Sequence, residues 1–299
     1  MTAQNKQTVI KNKMQDIDTL ISKLSSLDLT NYPYDEVKKL LKQIGKIGYV
    51  LTVLHKGTQI IRLRPNPDWE TFSNVKDLSY KPQEFNKTYQ RASTPNNTMF
   101  YGSSNQIDNP NAKPTVGRNT ALIEGFRRML DINSVDKLKV TYSNWVVQED
   151  IFLVTIRFNE LFNEKHPEFK FVYKNFKEYL AKHSEKEKET IKFSEFLSRE
   201  FSKPEANSEK DYLYLISATF SEIVSQKYDG IIYPSVRTVG EGVNIALKPE
   251  IIDSGKIKCQ VVMECIISKD SNQEIIVNNH SKAFLSDNQT EFKLELMSK

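Results

Sequence analysis

The chain has 299 residues, 38% hydrophobic and 27% charged, enough for one large domain or two modest ones with a sizeable core. Its 42 basic and 38 acidic residues leave a net charge of +4, too balanced to argue for nucleic acid and equally suited to an anionic ligand. No apolar run approaches the length that spans a bilayer, and the opening Met1-Thr2-Ala3-Gln4-Asn5-Lys6 lacks the apolar region of a signal peptide. The expectation is a cytoplasmic protein without a membrane or direct nucleic-acid partner.

Apolar residues from Val9 to Leu24 recur at helical spacing, which predicts a helix over 5–26. Asn31-Tyr32-Pro33-Tyr34 breaks it, and Val37, Leu40, Leu41 and Ile44 mark a second helix over 34–46. Gly45 and Gly48 stop it. The stripes of this front hairpin require burial against the main domain or against a partner. Tyr49–Leu54 reads equally as helix or strand. Ile61-Arg62-Leu63-Arg64 alternates, predicting a strand with both arginines on one face. Residues 66–98 are turn-rich, Phe100-Tyr101-Gly102 is a short strand, and 103–118 is an Asn/Pro-rich loop. A helix is predicted over 120–130, N-capped by Asn119 or Thr120.

Two strands follow, over 137–147 and 151–158. In the first, Trp145 and Val147 resume the apolar alternation one residue out of step. Residues 160–205 form a Lys/Glu/Phe-rich helical insert whose aromatics pack on the domain. Residues 209–226 read as an amphipathic helix. Asp229-Gly230 ends it, before the strand Ile231-Ile232-Tyr233. The tail predicts an antiparallel meander of strands at 258–267, 273–278 and 290–296. Helices, then strands interrupted by helices, then strands, make an α+β class. The division is a hairpin over 1–55 and a main domain over 56–299 carrying the insert and the C-terminal strands.

Cys259 and Cys265 sit six apart on one face of a regular strand, too far apart for a disulfide. The four histidines have no partner at metal-ligand spacing, so no metal is expected. Neither a Rossmann glycine fingerprint nor a Walker loop is present. What remains is a set of runs rich in turn formers around chemically useful side chains. These are Arg91-Ala92-Ser93-Thr94-Pro95-Asn96, Met99-Phe100-Tyr101-Gly102-Ser103, Thr120-Ala121-Leu122-Ile123-Glu124, and Tyr233-Pro234-Ser235-Val236-Arg237 followed by Asn244-Ile245-Ala246-Leu247.

In their order and spacing these runs resemble the RES-domain family over roughly residues 60–250. Arg91, Tyr101, Glu124 and Ser235 match its arginine, tyrosine, glutamate and serine, and the strand at Ile61–Arg64 resembles its first strand. The 103–118 loop is longer than in compact members. The hairpin, the insert and the C-terminal strands have no counterpart in a minimal domain. The resemblance implies an ADP-ribosyltransferase-like fold with a mixed or antiparallel β core. It implies a toxin that degrades NAD+ by hydrolysis or phosphorolysis, neutralised by a helix-turn-helix (Xre-type) antitoxin. Homo-oligomerisation is also open, and no cofactor is implied beyond NAD+ as substrate.

Cleavage of nicotinamide from NAD+ passes through an oxocarbenium-like ribose, which a carboxylate stabilises. That is the role expected of Glu124. A glutamate at the start of a helix also simply favours the macrodipole. Arg91 and Arg62 would grip the pyrophosphate with guanidinium forks. Arg64 competes for this role or forms an ion pair on the strand face. Tyr101 would stack on the cationic nicotinamide ring or belong to the core. Ser235 would bond the ribose, orient Arg91 or Glu124, or merely make a turn, and Tyr233 beside it is grouped with the NAD+-holding residues. Two other readings stay open: an ADP-ribosyltransferase acting on a macromolecule, and a catalytically idle binding module working through its helical front.

Overall fold

The alternating apolar runs resolve into ten strands of one sheet in the computed structural model, which describes residues 16–45, 47–104, 116–125, 137–156, 167–183, 186–204, 209–238, 242–270 and 274–297. The strands are β1 (Leu51–Leu54), β2 (Gln59–Pro65), β3 (Phe100–Ser104), β4 (Lys137–Val147) and β5 (Ile151–Thr155), then β6 (Gly230–Pro234), β7 (Val243–Leu247), β8 (Ile257–Lys269), β9 (Ile275–Phe284) and β10 (Glu295–Leu296). Their spatial order is β1-β5-β6-β7-β3-β2-β4-β8-β9-β10. Of these neighbours only β5 and β6 run parallel. Seven α-helices are present among the described residues: α1 (Ile17–Ser26), α2 (Tyr34–Gln43), α3 (Val116–Gly125), α4 (Pro167–His183), α5 (Glu187–Phe201), α6 (Leu215–Ser225) and α7 (Pro249–Asp253). The class is α+β, and no described helix is long and apolar enough to cross a membrane.

Side chains alternate between two cores as the pleat requires. On β6, Ile231 and Tyr233 face a helical cluster while Ile232 faces the opposite one; on β7, Ala246 and Ile245 divide the same way. Both strands are buried along their whole length, so they read as near-continuous apolar runs. The helical cluster joins α1, α2, α5 and α6 to this face. The opposite cluster collects Leu54, Ile60, Phe100, Trp145, Cys259 and Ala283 from β1, β2, β3, β4, β8 and β9. Strands from both halves of the order thus contribute to one core. A third, smaller cluster docks Ala121 and Leu122 of α3 on Val140, Tyr142, Cys265 and Ile267.

The front hairpin buries its stripes against the main domain, sharing one core with α5 and α6. Its first helix is described from Ile17 onward, and residues 1–15 lie outside the described set. Gly45, at φ 74, ends the second helix as expected. The ambiguous 49–54 segment contributes β1, paired to β5. The out-of-step alternation at Trp145 is a change of core, Val140 and Tyr142 entering the third cluster and Trp145 and Val147 the opposite one, where the register against β8 also shifts; the antiparallel meander of the tail is present.

Several expectations need correction. The cysteines do not share a face. Asn144 pairs with Val261 and Trp145 with Cys259, so Gln260 is an extra residue that reverses the alternation, and the two thiols enter different cores. The 209–226 segment is not amphipathic. It opens as a 3-10 turn over Asp211–Tyr214 and continues as α6, whose Ser217, Thr219 and Ser221 are as buried as its Leu215 and Phe220. Those hydroxyls bond carbonyls three or four residues back on the same segment, which satisfies them without a polar face. The α3 helix begins by Val116, so Thr120 is an interior, buried position and neither it nor Asn119 is an N-cap. Positions 103–104 belong to β3 and 116–118 to α3, while 105–115, 126–136 and 157–166 lie outside the described residues. The insert places Phe193, Phe196 and Phe201 in the core as expected, but Tyr179 is exposed.

Candidate active site

The strands β2 and β3 meet at a single registered pair, Ile61 with Ser103. Over this loosely paired junction lies a cleft of about 470 Å³, within the range of small-molecule sites. Strands β2, β3, β6 and β7 form its floor. Its lining carries three guanidiniums (Arg62, Arg91, Arg237) and two carboxylates (Glu124, Asp211), with tyrosine rings from Tyr89, Tyr101, Tyr214 and Tyr233. Cationic charge next to aromatic faces suits an anionic ligand bearing a flat ring.

One wall is built by α3 against β6 and β7. Glu124, the ninth residue of α3, aims its carboxylate at the strand ends. Its Oε1 accepts from Ser235 Oγ at 2.5 Å and from Asn244 Nδ2 at 2.9 Å. Its Oε2 faces Arg237 Nε at 4.0 Å. Arg237 Nη1 also donates to the backbone carbonyls of Ile123 and Glu124, so one guanidinium grips both ends of the acid. Asn244 is itself held, its Oδ1 accepting from Ser103 Oγ at 3.3 Å. The sheet brings these residues together: Tyr233 pairs with Asn244, and Asn244 with Ser103. Close approach of α3 depends on Gly242, because a Cβ there would fall inside the contact distance of Thr120 Oγ1. The helix N-terminus is therefore not what stabilises Glu124, contrary to the macrodipole alternative; Asn244 of β7 and Ser235 and Arg237 of the turn after β6 hold it.

The opposite wall is a loop. Arg91 donates through Nη1 to the carbonyls of Phe201 and Lys203, at 2.6 and 3.0 Å. Its guanidinium lies over the Tyr214 ring, 4.7 Å from the centroid. These bonds tie the loop to the C-terminal end of α5, where cations meet orphan carbonyls favourably. Tyr101 accepts the Ala92 N–H at 3.1 Å and shares a hydrogen bond with Ser93 Oγ at 2.8 Å. Burial pushes its hydroxyl up to about 12, so it stays a neutral phenol. Burial also holds the Tyr233 hydroxyl well above the ordinary tyrosine value, and its ring packs on Phe201.

On the floor, Arg62 Nη1 donates to Tyr101 O at 2.6 Å, while its Nε is buried without a hydrogen-bond partner among the described residues. Burial pulls this guanidinium down to about 10, with repulsion from Arg64 adding to the effect. An anion in the cleft would relieve both. Arg64 shares the strand face but not the site. It is absent from the cleft lining and turns its Nη1 to the Asp77 carbonyl, on the residue whose negative charge also acts on it.

The fold thus gathers Glu124, Arg91, Tyr101, Arg62 and Tyr233 around one cleft. Ser235 stands directly behind, orienting Glu124. Sequence reasoning assigned no role to Arg237, Asn244 or Asp211. The first two stood inside the quoted runs, and their spacing from the serine was the available signal; Asp211 carried none. No group of three His, Cys, Asp or Glu side chains that could hold a metal occurs among the described residues. Comparison with protein-family models, curated proteins and solved structures returned no match.

Proposed function

We propose that the chain is an NAD+-consuming enzyme that cleaves the nicotinamide–ribose bond. The observation that carries this reading is the Glu124 carboxylate, oriented by Ser235 and Asn244 at the edge of a cleft lined by three guanidiniums. Heterolysis leaves the bonding pair on the nicotinamide nitrogen and positive charge on the ribose. A fixed carboxylate stabilises that charge, as in glycoside hydrolysis. Arg62, with its unpartnered Nε, and Arg91 serve the pyrophosphate, and the Tyr101 and Tyr233 rings border the base. The acceptor is water or phosphate. An ADP-ribosyltransferase-like core, a growth-inhibiting toxin role and an Xre-type antitoxin partner belong to the same reading.

The test is product analysis of NAD+ turnover with and without phosphate. Release of nicotinamide with free ADP-ribose, or with ADP-ribose phosphate when phosphate is supplied, is the expected result. Transfer of labelled ADP-ribose to protein or nucleic acid in a lysate would replace the reading with macromolecular ADP-ribosylation. Absence of both products sinks it.

A further inference from the structure

Two buried or half-buried carboxylates, neither assigned a role above, lie between the front hairpin and the loop wall of the cleft. Each divides its oxygens the same way. Asp211 Oδ1 accepts from the Tyr32 hydroxyl of the hairpin, and its Oδ2 accepts the Tyr89 N–H at 2.9 Å. Glu222 Oε1 accepts from Tyr34 Oη and Lys38 Nζ of α2, both at 2.7 Å, and its Oε2 accepts from Thr94 Oγ1 at 2.8 Å. Tyr89 directly precedes Gln90 and Arg91, which line the cleft. Thr94 follows Ser93, whose hydroxyl meets Tyr101. One oxygen of each acid therefore holds the hairpin and the other holds the loop.

Tyr32 adds a second kind of evidence. It occupies the left-handed region at φ 51, which costs a tyrosine energy unless its surroundings fix it. It caps the 3-10 turn Leu29–Asn31, its N–H donating to Leu29 O, and this same contact anchors its side chain: its hydroxyl bonds Asp211 and its ring stacks on Tyr89, centroids 5.8 Å apart.

We propose that Asp211 and Glu222 are positioning residues through which the front hairpin sets the geometry of the Arg91 wall, making the hairpin a lever on ligand binding. The ligand's name rests on the NAD+ reading; the mechanical coupling does not. A carboxylate fixed on one oxygen is a rigid support for whatever the other oxygen holds. Loosening the hairpin then frees the Tyr89 amide and the Thr94 hydroxyl together.

The experiment compares the full-length protein with Tyr32→Phe, Lys38→Met and Lys38→Arg by amide hydrogen exchange and steady-state kinetics. The first two variants are expected to speed exchange over 88–97 while the β8–β9 amides keep their protection. Their KM for NAD+ should rise about tenfold with kcat little changed. Lys38→Arg keeps a donor for Glu222 and should restore both. Unchanged exchange over 88–97 in both loosened variants, or acceleration spread uniformly over the chain, would overturn the coupling. If the wild-type protein does not turn over NAD+, the NAD+ reading fails while the exchange result still decides the coupling.

Discussion

The two walls of the cleft are built on different principles. The Glu124 wall is a helix laid against paired strands, its supporting side chains on β7 and in the short turn that follows β6. The Arg91 wall is a loop of turns held by a few polar contacts: Arg91 reaches the carbonyls at the end of α5, the Tyr89 amide reaches Asp211, and the Thr94 hydroxyl reaches Glu222 of α6. Regular pairing fixes geometry through many cooperative backbone bonds, so losing one side chain shifts little. A pinned loop depends on a few polar contacts, each individually consequential. The first wall suits a charge that must sit at one place in the transition state, and the second suits adjustable binding.

The sharpest way to break this comparison is Glu124→Gln, which keeps shape and an acceptor oxygen but removes the charge. Nicotinamide release should fall by about 10²- to 10³-fold with an unchanged melting temperature. Full activity in this variant would remove Glu124 from the mechanism. Arg91→Ala should act on both stability and binding, because its guanidinium serves two carbonyls as well as the cleft. Denaturant titration should show a loss of about 1.5–3 kcal/mol, and calorimetry a weaker NAD+ affinity. A loss of affinity without a loss of stability would mean that the loop is not pinned there.

Ser235→Ala removes one of the two donors to Glu124 Oε1. About a tenfold fall in kcat is expected, with KM unchanged; a rise in KM alone would instead place the serine on the substrate.

The smallest effect expected is with pH. Burial would raise the Glu222 carboxyl, but bonds from Lys38, Tyr34 and Thr94 outweigh it and hold the group below its ordinary 4.5. A group depressed in the fold stabilises above its unfolded value and loses that contribution as the pH falls through the folded one. Acidification below 4.5 should therefore loosen residues 88–97 before the sheet, read as amide exchange against pH. Simultaneous loss of protection in both would show that the loop has no separate stability.

Much of the frame was legible because alternation and turn chemistry are local. Ile231-Ile232-Tyr233 announced a strand, and the out-of-step pattern at Trp145 marked where the apolar side chains of β4 change from one core to the other. The mirror-image error at Cys259 and Cys265 came from the same logic, since an unpaired Gln260 leaves no mark in composition and only the partner strand reveals it. Helix α6 misled because its serines and threonines look solvent-facing, while their hydroxyls are satisfied internally.

By itself the sequence determined the α+β class, the order of the elements and the set of side chains with chemistry to offer, because each depends on neighbours a few residues away. Only the tertiary structure decided which of them meet. The register of β3, β7 and β6 put Asn244 between Ser103 and Tyr233; α3 then carried Glu124 to Ser235, while Arg64 turned to Asp77 and left the cleft to Arg62. The Ser103–Asn244 and Glu124–Ser235 meetings join residues more than a hundred positions apart, and they are set by strand pairing and core burial, which no local pattern encodes.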